Sequence, residues 1–516
     1  MPAKKRPDIK KENELNRFLA SITATLFTPN GNADIMTAQS IVEKSMVKVK
    51  DSEFLKRIKP EITKIVRLLE KRFDYVSVLG TDTFGYKYQL SGDNSSIEES
   101  MWTERGFVAR VLDNRRVYEY SFNLIDSGVG EEIAEKIVEA VEDSDPNGFR
   151  EYALLPEEPL NLSFNDEVKI DPVSAGAEKI FTNLQNLFDR TLEAGEYIFN
   201  ARVVYEWVRV AKIFISSVRN LEQTYIWSQA YLVPMARKEN LVKIIYAAAS
   251  GVGGLEILKS LEDRIESTVT DAELLLSAEP IIPGEYDVVL SPDIAGLVAH
   301  EAFGHGVEMD MFVKNRALGK EYIDKKVASS LVNMRDAAFP VRQCGSYRFD
   351  DEGVISGNTL IIENGILKKG ISDTLSAASM GTVPTGNGRR ESFMNKAYSR
   401  MTNTYFEGGN DNVDKMIASV DSGYLIDYTQ SGMEDPKNWG LQGIALIGRE
   451  IKNGKLTGRI ASPVVMTGYV PDILNNISMI SGDIELSGSG YCGKGWKEFV
   501  KVSAGGPYIK TKMRLG

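Results

Sequence analysis

An α+β protein in two parts is predicted: an N-terminal mixed helix and sheet domain, then a β-rich sandwich or distorted barrel carrying a metal-binding helix. Three observations predict it. Apolar residues recur at helical spacing near the N-terminus, alternation takes over from Tyr75, and beyond residue 283 short apolar runs alternate with Gly and Asn turns. The boundary is placed near Pro283-Gly284, dividing 1–283 from 284–516.

Residues 11–73 read as helical, through Ile41, Val42, Met46, Phe54, Leu55, Ile62, Ile65, Val66 and Leu69, with Pro60 as the one interruption. Strands are expected from Tyr75 to Phe122, as in Tyr86-Lys87-Tyr88-Gln89-Leu90, with a turn at Asp113-Asn114. Helices return at Glu131–Val141 and Ser174–Glu193. The β-branched stretch Tyr197–Ala248 predicts a strand meander, and Leu255–Ala278 a single helix. In the second part, Thr359-Leu360-Ile361-Ile362, Gly443 to Ile447 and Pro463-Val464-Val465-Met466 read as strands, with hairpin turns at Asn364-Gly365 and Asn453-Gly454.

Composition excludes several function classes. A net charge of -11 over 516 residues argues against nucleic acid, because the one basic cluster, Lys4-Lys5-Arg6 with Lys10 and Lys11, reads as a solvated tail. The first residues lead into charged sequence, so no export signal is expected. The most apolar window, Leu241 to Leu255, contains Lys243 and three glycines and is too short to span a bilayer. Two cysteines about 150 residues apart suggest no disulfide framework and point to a reducing cytoplasm.

The chain's two histidines both lie in His300-Glu301-Ala302-Phe303-Gly304-His305. Imidazole is the commonest protein ligand for zinc, so this concentration points to a metal site. A separation of five is unusual. On a regular helix five steps leave two side chains roughly 140° apart, so the backbone must depart from α geometry. Gly304 and Gly306 bracket His305 and place a helix end or a π-type bulge there. The plainer reading is a pair of histidines that cap or pack a helix end.

A catalytic zinc takes three protein ligands and leaves one position for water. Cys344 reads as a small buried apolar residue. Cys492 lies in Ser487-Gly488-Ser489-Gly490-Tyr491-Cys492-Gly493-Lys494-Gly495, where glycines allow close approach and Lys494 can hold the sulfur as thiolate. Spacing alone leaves its role open.

At this point the residues carry a resemblance. Tyr286-Asp287-Val288-Val289-Leu290-Ser291-Pro292 running into the histidine stretch resembles the signature of the TldD/PmbA family of zinc metallopeptidases, whose motif is His-Glu-x-x-x-His. Gly386-Asn387-Gly388-Arg389-Arg390-Glu391-Ser392 with Ser399 to Tyr405 is similar to the family's central block, and Cys492-Gly493-Lys494-Gly495 to its C-terminal cysteine motif. The resemblance covers about 280 to 500 and is of the TldD type. Met309 departs from it, standing where many relatives have glycine.

The resemblance implies that His300, His305 and Cys492 are zinc ligands and that Glu301 is the general base. It further implies cleavage of unfolded or short peptides inside an enclosed dimer, formed with itself or with a family paralogue lacking zinc. Arg389 and Arg390 are candidate substrate-binding residues, since a guanidinium fork suits a peptide carboxylate or an oxyanion; a solvated loop is the competing reading. Asp310 is a candidate for orienting a histidine, against an ordinary helix-end hydrogen bond. Tyr405 and Asn403 can meet substrate backbone or simply build a turn. The alternative function is a regulatory or scaffolding subunit whose zinc is structural; a closed four-ligand site would mark it.

Overall fold

The computed structural model describes residues 46–92, 94–145, 150–153, 155–495 and 498–516. The part of the first helical prediction before residue 46 lies outside these residues. In its remainder Val47–Lys48 is instead a short strand paired with Glu167–Val168, and the helix is Glu53–Leu69, capped by the Ser52 hydroxyl accepting from the Leu55 amide at 3.0 Å. Pro60 does not interrupt it. The proline ring sits on the exposed side, so the helix loses one hydrogen bond there while Ile58, Ile62, Ile65 and Leu69 keep one buried stripe.

Strand alternation from Tyr75 onward produces a nine-stranded sheet. Its main path runs Leu241–Ile244, Arg219–Lys238, Ile198–Ser216, Tyr75–Ser91, Glu104–Asp113 and Arg116–Phe122, each antiparallel to its neighbour. The period of two sorts the long central strands into two faces. Val203, Tyr205, Trp207, Ala211 and Ile213 point one way, into cores shared with the helices Glu53–Leu69, Gly130–Glu142 and Pro172–Glu193. Val208 and Val210 point the other way, where they pack with Trp227 of the neighbouring strand and with Ala338, Cys344 and Tyr347 from the second half of the chain.

The single helix expected over Leu255–Ala278 is instead a series of short pieces, with α-helices at Lys259–Glu262 and Ile265–Leu274 flanked by 3-10 turns. The break at Asp263-Arg264 lets Leu258 and Leu261 on one side, and Ile265 and Val269 on the other, reach the same core.

Between the sandwich and barrel expectations the structure selects a barrel. Gly284–Leu290, Ser422–Asp435, Gly440–Lys452, Val464–Tyr469 and Ile509–Leu515 form a ring, closed because Gly284–Leu290 pairs with both Ser422–Asp435 and Ile509–Leu515. Asn364-Gly365 and Asn453-Gly454 are turns with positive φ at both residues, as hairpins require. A six-stranded sheet runs beside the barrel and includes Asn403–Phe406 and Ser503–Gly506. The helix carrying the histidines leaves the first barrel strand through Ser291-Pro292 and lies against Ser503–Gly506. A Cβ on Gly296 would come 2.5 Å from the Gly505 amide nitrogen, so glycine is what permits this approach. Among the described residues, no helix is long and apolar enough to cross a membrane.

Candidate metal centre

The helix Pro292–Val298 is α-helical; from Ala299 to Gly304 it widens into a π-helix and tightens into a 3-10 turn at His305–Val307. This is how a spacing of five works. In the π segment the His305 amide bonds to the His300 carbonyl, which stacks residues five apart on one side. The two imidazoles lie with centroids 5.1 Å apart and planes at 88°. A Cβ on Gly304 would fall 2.0 Å from the Met401 sulfur, so the wide turn and the buried methionine need glycine between them.

Cys492 arrives on a hairpin, Tyr491–Lys494 paired with Glu498–Lys501. Its Sγ is 3.4 Å from His305 Nε2, and one donor atom from each of His300, His305 and Cys492 falls within 4.8 Å of the others. Tetrahedral zinc spaces two nitrogens and a sulfur roughly 3.3–3.6 Å apart, and the Cys492 and His305 donors already stand at that separation. Two imidazoles and a sulfur also suit zinc better than magnesium or calcium, which prefer oxygen.

The electrostatics agree with a thiolate. Burial pushes the Cys492 thiol up, but the His305 and His300 imidazoles outweigh it and hold the group well below its ordinary value. Burial opposes charge on His305 too, yet Cys492 and Glu308 keep its pKa well above the usual histidine range. Lys494, expected to hold the thiolate, is engaged elsewhere: its ammonium reaches Glu308 at 3.0 Å, Asp310 at 2.6 Å and the Ser399 carbonyl at 2.9 Å.

Glu308 is a residue the sequence reading missed. Fully buried, it accepts from His305 Nδ1 at 3.1 Å, leaving Nε2 to face the sulfur. Burial alone would raise its carboxyl, but Lys494 and His305 draw it down to about 2. The i, i+3 spacing from His305 was the available signal. Asp310 binds Lys494 and Lys314 instead of a histidine.

Three side chains fix the hairpin, one of them its own. Arg400, wholly buried, donates to the Cys492 carbonyl at 2.6 Å. Lys501, also buried, bridges Gln229 of the large sheet at 2.6 Å and the Gly490 carbonyl at 2.9 Å. The Tyr231 hydroxyl donates to the Ser489 carbonyl. Nothing in the spacing of Arg400, Lys501 or Tyr231 signals these contacts.

His300 and Glu301 line a cavity of about 780 Å³ between the metal helix and the large sheet, with Tyr231, Tyr246, Thr429 and Tyr491 among its other walls. Glu301 is half-buried there, and a Cβ on Gly432 would meet its Cγ at 2.7 Å. Arg389 and Arg390 lie elsewhere. Arg389 donates to the Met401 and Lys501 carbonyls at 2.6 Å each, while Arg390 pairs with Glu119 at 3.0 Å and donates to the Asn395 carbonyl at 2.7 Å. Both guanidiniums are thus occupied in tying the central block to its surroundings. Asn403 is buried and bonds Ala337 and Ser346, and Tyr405 sits beside it in the six-stranded sheet.

Residues 283–514 match the model of the PmbA/TldA metallopeptidase C-terminal domain. Over 456 residues the chain is 29% identical to a metalloprotease of Methanocaldococcus jannaschii, covering 87% of this chain and 98% of that one. It is 35% identical over 230 residues to a zinc metalloprotease TldD homolog of Saccharolobus solfataricus, covering 44% of this chain and 51% of that one. In fold it is similar to TldE from Thermococcus kodakarensis, with a TM-score of 0.70 at 18% identity, covering 88% of this chain and all of that one. The class defined is a metallopeptidase family, read from the C-terminal half where the histidine helix lies. Residues 283–514 are thus a domain of the TldD/PmbA family.

Proposed function

We propose that the protein is a zinc-dependent peptidase acting on unfolded or short peptides, with His300, His305 and Cys492 as ligands and Glu301 as general base. The observation that carries this reading is the gathering of three zinc-type donors within 4.8 Å beside a carboxylate, on the wall of a cavity large enough for a peptide segment. When bound, zinc would supply Lewis acidity and an open fourth position. Glu301 takes the proton of the attacking water and delivers it to the leaving amine nitrogen. His305 is kept in one tautomer by Glu308, and the walls of the cleft limit the water that reaches the peptide.

In this reading residues 1–283 supply the sheet wall of the cleft and residues 284–516 the metal helix and the cysteine. Arg389 and Arg390 act as supports of the central block, and substrate contacts fall to the cavity walls. A homodimer, or a heterodimer with a family paralogue, would enclose the cleft; the fold similarity to TldE supports such a pairing. Free Cys344 and Cys492 suit a reducing cytoplasm.

The test is cleavage of an unstructured peptide library by zinc-loaded wild type and Glu301→Ala, read by mass spectrometry. Loss of a general base lowers turnover about 10²–10⁴-fold. Equal cleavage by the variant would remove Glu301 from the mechanism, and zinc-loaded wild type that cuts nothing would remove the peptidase reading.

A further inference from the structure

The cleft's sheet wall is built in rows. Gln89 stands opposite Val204 and Val204 opposite Tyr231; in the next row Ser91 stands opposite Arg202 and Arg202 opposite Val233. Alternation turns these side chains away from the helix-covered face, and Gln89, Arg202, Val204, Tyr231 and Val233 all line the cavity that holds His300 and Glu301.

Arg202 differs from the other cations of the sheet's long central strands, which are held. Arg209 pairs with Asp82 at 3.4 Å, Lys212 pairs with Asp351, and Arg237 lies 4.3 Å over the Phe199 ring. Among the described residues the Arg202 guanidinium has no ion pair, hydrogen bond or ring contact, and it is exposed on the cavity wall. Lys87, on the same face, is 3.7 Å from Glu98 and only loosely held. The cavity's carboxylates, Asp293 and Glu301, both belong to the opposite wall, on the metal helix. The cleft's side chains are thus sorted, with its cationic groups on the sheet wall and its carboxyl groups on the helix wall.

Resting on the peptidase reading, we propose that Arg202 is a specificity-determining residue that binds a carboxylate of the substrate, either an acidic side chain or the C-terminal carboxylate. A guanidinium fork matches a carboxylate through two parallel hydrogen bonds. One end of the peptide is thereby drawn to the sheet wall, which sets the direction in which the chain crosses Glu301.

The experiment compares zinc-loaded wild type, Arg202→Gln and Arg202→Lys on matched unstructured peptides. One series carries Glu or Gln at successive positions with an amidated C-terminus; the other has neutral side chains and either a free or an amidated C-terminus. Wild type is expected to prefer one carboxylate-bearing series about tenfold or more in kcat/KM. Arg202→Gln should erase that preference, bringing kcat/KM for the carboxylate-bearing peptide down to that variant's own value for the neutral amidated peptide, and Arg202→Lys should restore part of it. Whichever series shows the preference identifies the source of the carboxylate. A preference that persists in Arg202→Gln, or wild type that cuts both kinds equally, overturns the proposal. Binding of the same peptides to zinc-loaded Glu301→Ala, by fluorescence anisotropy, separates the two readings. Carboxylate-dependent binding lost in Glu301→Ala/Arg202→Gln sustains the anchor even if nothing is cut, whereas carboxylate-independent binding rejects it.

Discussion

The two histidines and the cysteine reach the same point by opposite routes. His300 and His305 are placed by backbone geometry: one wide turn, closed by a hydrogen bond from the His305 amide to the His300 carbonyl, aligns them. Cys492 follows 187 residues after His305, on a hairpin tied down by Arg400, by Tyr231 and by its own Lys501, which reaches Gln229. The difference teaches that the histidine pair is a local property, whereas the cysteine arm depends on the packing of the whole molecule.

The sharpest way to break this comparison is Cys492→Ser. Losing a ligand is expected to weaken zinc binding by more than about a hundredfold, beyond what loss of a ligand's supporting partner causes, while the thermal transition of the metal-free protein stays near wild type. Competition with a chromogenic chelator measures the first and calorimetry the second. Retained affinity would mean that another donor replaces the sulfur.

On the histidine side, Glu308→Gln removes the carboxylate that orients His305 and leaves Lys494 without one of its partners. The expected loss of zinc affinity is about 10–100-fold. Unchanged affinity in the same chelator competition would show that the π-turn orients the imidazole unaided.

Much of this histidine side was legible beforehand. A separation of five between the only two histidines, with glycine between them, is incompatible with a regular helix, and the irregularity is where Gly304 suggested. The strand pattern was legible for a similar reason, since alternation in Tyr86 to Leu90 or Gly443 to Ile447 is set by which neighbours face a core. Pro60 and Leu255–Ala278 were misjudged because each turns on how a segment meets a distant core. Glu308, Arg400 and Lys501 went unseen because a buried charge has meaning only beside its partner.

The cysteine side is sharpened by Lys501→Met, which cuts the link between Gln229 and Gly490. A shift of about tenfold in zinc dissociation rate is expected, because the hairpin then samples more positions. Wild-type kinetics would indicate that Arg400 suffices.

The smallest effect is expected for Gly304→Ala. The added methyl meets Met401 in a filled core and should cost about 1–3 kcal/mol, read as a lowered midpoint in denaturant at unchanged slope. No change in midpoint would show that the π-turn tolerates a side chain.

By itself the sequence determined the periodicities that build the large sheet and the barrel strands, and the clustering of both imidazoles with Glu301 on one irregular turn, since these are properties of neighbouring residues. Only the tertiary structure decided that the strands close into a barrel, that Lys494 serves Glu308 and Asp310, that Arg389 and Arg390 are occupied away from the cleft, and that the sulfur meets the imidazoles. Those outcomes depend on desolvated groups finding partners far along the chain, and the free energy of such pairing exists only once the intervening segments have packed.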